Sequence, residues 1–373
     1  MKIDDFLVEL FMDKYEMHVE INIAETCVDP FTLDEFLKLM EYENFFEDFK
    51  SKKLTYGYIT GSPELRGGLA KLYDTMSADN ILINSGAIGA NFLSFYSLIE
   101  PGDTVVSIFP AYQQLYSTAR SFGANVKLWK LKWEEQWEPN IDDLTSLVDK
   151  KTKMIVINNP HNPTGCLITN KQLKQICEIA EDCDAYVHYD EAYKGLYLND
   201  NDKVTSAVDI YDKAISSGSF SKGLSLTGLR LGWLAASKEI TKRFAKYRQY
   251  TTISNGMIDD ALGALAMKHV DRIYKRNIGI IKTNFKILNE FIENEPLLDW
   301  IPPRAGSVGF IKLNLDMPTE EFCVKLIEEK STFLVPSTCF EMEGYLRIGF
   351  GNNTEVLKKG LGRLKEFLDT LRK

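Results

Sequence analysis

A chain of 373 residues, 45% hydrophobic and 26% charged, is long enough to bury a large core and predicts a globular protein of two domains. Its net charge of −9 arises without any Lys/Arg block, which disfavours non-specific binding to nucleic acid or to an anionic membrane surface. Six cysteines without a CxxC pair, four histidines without close ligand spacing and the acidic start Met1-Lys-Ile-Asp-Asp-Phe argue against a disulfide framework, a metal site and a secretory signal, and predict a reducing cytoplasm.

Residues 1 to about 45 are acidic and helical in period, broken at Val28-Asp-Pro-Phe, with a helix expected over 33–40. The most apolar run, 81–99, is interrupted by Asn84, Ser85, Gly86, Gly89 and Asn91, so it reads as strand, turn and helix rather than a membrane span. Buried strands are predicted at 104–109, 126–131, 154–157, 185–189 and 214–220. Helices are predicted over 63–76, 90–99, 111–122, 170–183 and 240–250. This β-α alternation predicts a mainly parallel sheet flanked by helices. A long helical stretch over 256–295 then meets the break Ile301-Pro-Pro-Arg-Ala-Gly-Ser-Val-Gly. Strands near 308–313 and 345–350, with helices over 318–330 and 353–371, predict a smaller α/β domain. The expected division is 46–260 for the large domain, and 1–45 with 261–373 for the small one.

Three predicted strands run into polar punctuation: Asn158-Asn-Pro-His-Asn162-Pro-Thr-Gly165, Asp190-Glu-Ala-Tyr193 and Ser219-Phe-Ser221-Lys222. In open α/β sheets the ligand crevice lies at the carboxyl ends of the strands, so these groups are expected to converge. A nucleophilic lysine needs a carbonyl partner. The hydroxyls of Ser219 and Ser221, with Arg230 eight residues beyond Lys222, suit a phosphate monoester. A carbonyl compound carrying a phosphate describes pyridoxal phosphate. Taken singly, the same residues read as a proline-fixed turn, a helix N-cap at Asp190 and a solvated lysine.

With these motifs in this order, the chain from about residue 20 onward resembles the class I/II aminotransferases, pyridoxal-phosphate enzymes of fold type I. The resemblance implies that Lys222 holds the cofactor as an internal aldimine and that Asp190 pairs with its pyridine nitrogen, keeping the ring cationic as an electron sink. Asn162 and Tyr193 are implied to hydrogen-bond the phenolic oxygen, and Ser219, Ser221 and Arg230 to bind the phosphate. Ser85-Gly-Ala87-Ile88-Gly-Ala resembles the family's glycine-rich turn, whose N–H groups at Ala87 and Ile88 face the phosphate. Tyr112, in Phe109-Pro-Ala-Tyr112, is implied to stack on the ring. Tyr56 is implied to reach the phosphate of a neighbouring subunit, which makes a homodimer with shared sites. In Tyr345-Leu-Arg347-Ile-Gly-Phe, alternation places Arg347 on the face opposite Leu346, Ile348 and Phe350. Solvent is one destination for it; the family role is a clamp on the substrate α-carboxylate, shared with Asn162.

The implied reaction exchanges an amino group between an amino acid and a 2-oxo acid, with Lys222 as proton carrier and Asp190 and Tyr193 assisting. One segment departs from the pattern: where many members have Gly-Glu-Pro, this chain reads Ile23-Ala24-Glu25-Thr26-Cys27-Val-Asp29-Pro30. Similar Ala-Glu-rich versions occur in relatives acting on guanidino amino acids, including cyclising and oxidising enzymes. That implies substrate contacts at Ala24 and Glu25 and a cationic side chain facing Glu25 and Asp29; N-caps and surface acids are the alternative. Elimination, cyclisation or oxidation by the same cofactor therefore stands beside transamination. A non-catalytic pyridoxal-phosphate sensor is the third reading, disfavoured because no basic extension precedes residue 20.

Overall fold

Short apolar runs ending in polar turns become strands here because both faces of the sheet are covered by helices. The computed structural model describes residues 2–372. A short strand β1 (Ile21–Asn22) precedes β2 (Ile81–Ser85), β3 (Thr104–Phe109), β4 (Asn125–Lys130), β5 (Thr152–Asn158), β6 (Tyr186–Asp190), β7 (Ala214–Ser219) and β8 (Leu231–Ala236). Strands β2 to β8 form one seven-stranded sheet in the order β2-β8-β7-β6-β5-β3-β4. All its ladders are parallel except the two made by β8, which runs against both neighbours. Every residue of β3, β7 and β8 is buried, as expected of strands sandwiched between helical layers.

Five further strands follow: β9 (Leu298–Trp300), β10 (Val308–Leu313), β11 (Thr332–Phe333), β12 (Val335–Pro336) and β13 (Tyr345–Gly349). Four make an antiparallel sheet in the order β12-β13-β10-β9, while β11 pairs in parallel with β1. The architecture is thus the predicted one, a large mainly parallel sheet with flanking helices and a smaller α/β unit.

Local details differ from the sequence expectation. The helix predicted over 63–76 stops at Ala70, after Gly67 and Gly68, whose backbone freedom weakens its last turn. The stretch 256–295 is two helices, Met257–Lys268 and Val270–Glu293, turning at His269. The first packs on the Pro63–Ala70 helix of the large sheet and the second on the C-terminal helix Thr354–Leu371, so tertiary contacts bend an otherwise continuous pattern. Strand β8 lies outside the predicted strands because its run adjoins the Gly-Leu-Arg230 loop. No described helix is long and apolar enough to cross a membrane.

Register brings the polar strand ends together. Asn158 of β5 stands opposite Asp190 of β6, which stands opposite Ser217 of β7. The segment after β1 runs from β13, where the Gly349 N–H donates to the Ile23 carbonyl at 2.8 Å, to just past the end of β7, where the Val28 N–H donates to the Lys222 carbonyl at 3.5 Å. A Cβ on Gly349 would sit 1.8 Å from the Glu25 carbonyl oxygen, so only glycine allows this approach.

Candidate active site

A cavity of about 450 Å³ opens at the carboxyl ends of β5, β6 and β7. Of the residues singled out in the sequence, Glu25, Ala87, Ile88, Tyr112, Asn162, Asp190, Tyr193, Ser219, Ser221, Lys222, Arg230 and Arg347 all line it. The geometry of the strand ends, the helix Gly86–Leu98 and the β1–β2 connection accounts for this convergence.

Asp190 is 4% exposed at the end of β6. Its Oδ1 accepts from the Ala192 N–H and its Oδ2 from the Asn91 amide, each at 2.8 Å. Burial pushes the carboxyl up to about 6, against the downward pull of those two donors. Behind it, the Asn91 carbonyl oxygen lies 3.0 Å from His188 Nε2, and His188 Nδ1 lies 3.1 Å from the Ser94 hydroxyl. Burial holds His188 neutral, at about 3, so Nε2 carries the proton donated to Asn91 and Nδ1 accepts from Ser94. This relay fixes the Asn91 amide with its N–H toward Asp190. Sequence reasoning missed Asn91 and His188 as site residues; the only signal was a polar residue inside each of two apolar runs.

Lys222 follows β7 and extends toward the β1–β2 connection, where its Nζ meets the Thr26 hydroxyl and lies 3.3 Å from Cys27 Sγ. Burial lowers the Lys222 ammonium, but the Cys27, Tyr193 and Glu25 groups around it carry the net shift upward. Burial pushes both the Cys27 thiol and the Tyr193 phenol up, so these remain neutral and the Glu25 carboxylate is the anion that holds the lysine protonated. The converse holds at Glu25: burial raises its carboxyl, yet Lys222 and the Cys27 N–H, donating at 2.8 Å, bring it below the usual range.

On the other side, Ser85 precedes the helix Gly86–Leu98 without capping it through its side chain, leaving the first N–H groups of that helix unclaimed by a cap. Gly86 has φ +70°, and a Cβ on Gly232 of β8 would lie 2.2 Å from the Gly86 carbonyl carbon and 2.5 Å from the Ala87 nitrogen. Both glycines are therefore needed to bring this helix start against the sheet. Arg230 takes a left-handed backbone, φ 50°, and its guanidinium lies 3.4 Å from the Ser221 hydroxyl. Ser219 Oγ accepts from the Ser221 N–H at 3.0 Å. Hydroxyls, guanidinium and helix N-terminus together form an anion cradle.

Asn162 and Arg347 also line the cavity. Asn162 is 6% exposed and Arg347 3% exposed, yet Asn162 Oδ1 and Arg347 Nε have no hydrogen-bond partner among the described residues. Arg347 is thus buried rather than solvent-facing; its guanidinium rests 5.6 Å from the Phe340 ring centroid and donates to the Ala24 carbonyl at 3.4 Å. The Tyr112 hydroxyl donates to Glu9 Oε1 at 2.8 Å, and its ring packs against Phe6 with centroids 5.0 Å apart. The N-terminal helix Leu7–Tyr15 covers this edge, bringing Val8, Glu9 and Met12 into the lining, and Glu16 follows in the next turn. The spacing 9, 12, 16 marks one helical face and was the sequence signal for these missed residues.

Three sequence-stated residues fall elsewhere. Tyr56 is 78% exposed and outside the cavity, beside Lys52, Tyr58 and Met257. Ala24, two residues past β1, is fully buried in the core and offers Arg347 a carbonyl instead of lining the cavity. Asp29 lies 3.5 Å from Arg276, which also donates to the Asp29 carbonyl at 2.9 Å, so it points away from the cavity. Nor does Asp29 cap the next helix: Thr32 does, in a capping box with Glu35.

A buried carboxylate without a cation, a lysine, an anion cradle and two buried polar atoms without partners are features that suit pyridoxal phosphate and an amino acid. The family model of aminotransferase class I and II matches residues 33–364. A PLP-dependent aminotransferase from Streptococcus suis 89-1591 superimposes with a TM-score of 0.97 at 40% identity, covering 100% of both chains. The PLP-dependent cyclase OrfR superimposes with a TM-score of 0.91 at 25% identity, covering 100% of this chain and 98% of that one. Capreomycidine synthase from Streptomyces vinaceus is 27% identical over 315 residues, 84% of this chain and 81% of that protein. The chain belongs to the class I and II aminotransferase family of pyridoxal-phosphate-dependent proteins.

Proposed function

We propose that the protein is an aminotransferase that moves an amino group between an amino acid and a 2-oxo acid. The observation that carries this reading is the convergence of Lys222, Asp190 and the two unpartnered groups of Asn162 and Arg347 on one cavity. When bound, pyridoxal phosphate supplies an electron sink for charge developing at the substrate Cα. Lys222 would hold it covalently, Asp190 would face its ring nitrogen, Asn162 and Tyr193 its phenolic oxygen, and Tyr112 its ring face. Ser219, Ser221, Arg230 and the N–H groups of Ala87 and Ile88 would hold its phosphate.

The chain's own groups then do the positioning. Arg347 binds the substrate α-carboxylate through the Nε donor that has no partner among the described residues, and the Asn162 amide N–H shares that carboxylate. Freed when the substrate's amino group takes its place, Lys222 Nζ would take the Cα proton as base and deliver it as acid to the cofactor carbon it had held. Holding these groups on strand ends lowers the entropic cost of bringing them together. The division proposed from sequence, 46–260 against 1–45 with 261–373, is supported by β1 pairing with β11. We further propose a homodimer, supported by the exposed Leu54, Tyr56 and Tyr58, and a cytoplasmic location, supported by the six free cysteines.

Cyclisation or elimination is the second reading, favoured by the likeness to a PLP-dependent cyclase and by the β1–β2 connection, where Thr26 and Cys27 meet Lys222. An amino-acid panel tests the choice. Bleaching of the cofactor's visible band that a 2-oxo acid reverses supports transamination; ammonia release without an oxo acid, or a cyclic product, overturns it for the second reading.

A further inference from the structure

Seven charged side chains line the cavity: Glu9, Glu16, Glu25 and Asp190, against Lys222, Arg230 and Arg347. Under the function proposed above, on which this inference rests, each cation has an assignment. Arg230 meets a phosphate, Arg347 a carboxylate, and Lys222 loses its charge on joining the cofactor, while Asp190 meets a ring nitrogen. Three carboxylates are left over. Each is held by a neutral donor: Glu9 by the Tyr112 hydroxyl at 2.8 Å, Glu16 by the Asn22 amide at 2.7 Å and Glu25 by the Cys27 N–H at 2.8 Å.

We propose that Glu9, Glu16 and Glu25 form a specificity wall for an amino acid whose side chain ends in a cation. Arg347, buried with an Nε donor that has no partner among the described residues of the same cavity, independently marks where the ligand's carboxylate end sits. The acidic residues come from the N-terminal helix and the β1–β2 connection, and therefore face the same cavity from other elements. Burial raises the Glu16 carboxyl, and the Glu25 and Glu9 carboxylates raise it further, with Arg347 pulling it down. Like charges thus crowd each other there, and a cation placed between them relieves the crowding. The loss of the Lys222 charge when the cofactor is held takes from Glu25 the ammonium that stabilises it, and a substrate cation restores one. A distal carboxylate finds no fourth cation in this chain's lining. A planar guanidinium can bridge two carboxylates, whereas an ammonium meets them as a point charge.

The test uses the cofactor-loaded protein and four carboxylates without a primary amine, which cannot condense with the cofactor: 5-guanidinopentanoate, 6-(trimethylammonio)hexanoate, hexanoate and adipate. Affinities are measured by calorimetry. At least one cationic ligand is expected to bind tenfold or more tightly than hexanoate, with adipate weakest; which cation is tighter separates the guanidinium from the ammonium. In Glu16→Gln and Glu25→Gln, and to a smaller degree in Glu9→Gln at the exposed helix face, the ratio of cationic to hexanoate affinity is expected to fall about tenfold. Equal binding of all ligands, no binding of either cationic ligand, tightest binding of adipate, or an unchanged ratio in all three variants overturns the inference. A panel of amino acids scored for loss of the visible band keeps the two readings apart. No response to any amino acid refutes the underlying reaction, whereas responses without charge preference refute the acidic wall alone.

Discussion

The Asn91 side-chain amide donates to Asp190 across 99 residues of chain, and Asn91 is itself held from behind by neutral His188. This pair decides the state of the most buried acid in the cavity. Without the donors from Asn91 and Ala192, burial would push the Asp190 carboxyl above its value of about 6. Asn91→Ala is expected to weaken pyridoxal phosphate binding about ten- to a hundredfold, the worth of one hydrogen bond to a charged group. Fluorescence titration of the cofactor-free protein measures it, and unchanged affinity would show that the relay does not position Asp190.

The same carboxyl predicts a pH dependence in the cofactor-free protein. Its folded value of about 6 lies above the ordinary 3.8, so folding takes up a proton. The stabilisation is fully present below about pH 4 and is lost as pH rises through about 6. A gap of this size corresponds to about 3 kcal/mol. Urea denaturation at pH 4.5 and 7.5 should therefore show the stability of wild type falling relative to Asp190→Asn. Parallel behaviour of the two proteins would refute the raised value.

Lys222→Ala should abolish the visible absorption that wild type gains on adding pyridoxal phosphate. It should also lower turnover by about 10²–10⁴-fold or more, the usual worth of a positioned acid–base group. A wild-type chain that stays colourless with the cofactor would sink the whole functional proposal.

Gly232→Ala tests the anion cradle through packing. The added Cβ would fall 2.2 Å from the Gly86 carbonyl carbon, so the helix start must move. Overpacking of this kind costs about 1–3 kcal/mol, and cofactor affinity should fall with it. Thermal melts with and without pyridoxal phosphate read both effects; a variant matching wild type in each would place the cradle elsewhere.

Tyr56, exposed and distant from its own chain's cavity, is expected to serve the cavity of a second copy. Sedimentation should give a dimer, and Tyr56→Phe should weaken cofactor binding several-fold by removing about 1 kcal/mol of hydrogen bonding. A monomer with full cofactor affinity would rule this role out.

Much of the site was legible because its parts are local. Asn162, Asp190 and Lys222 each end a strand, and a strand's apolar run and polar stop are neighbours in sequence. The parallel order of those strands then forces the three ends to one edge of the sheet. The placement of Arg347 was legible as an alternation and through the resemblance; burial of both faces of β13 gave it the cavity. Ala24 shows the limit of motif matching, since it does not line the cavity.

By itself, then, the sequence determined the sheet, the lysine and the chemistry its neighbours invite, because periodicity and strand-end punctuation are short-range properties. Only the tertiary structure decided which helix face meets which wall. Glu9 reaches Tyr112 across 103 residues, and Asn91 meets Asp190 across 99. Such partners are chosen by long-range packing of amphipathic elements, which no local spacing encodes. It is this packing that brings Glu9 and Glu16 to the cavity beside Glu25.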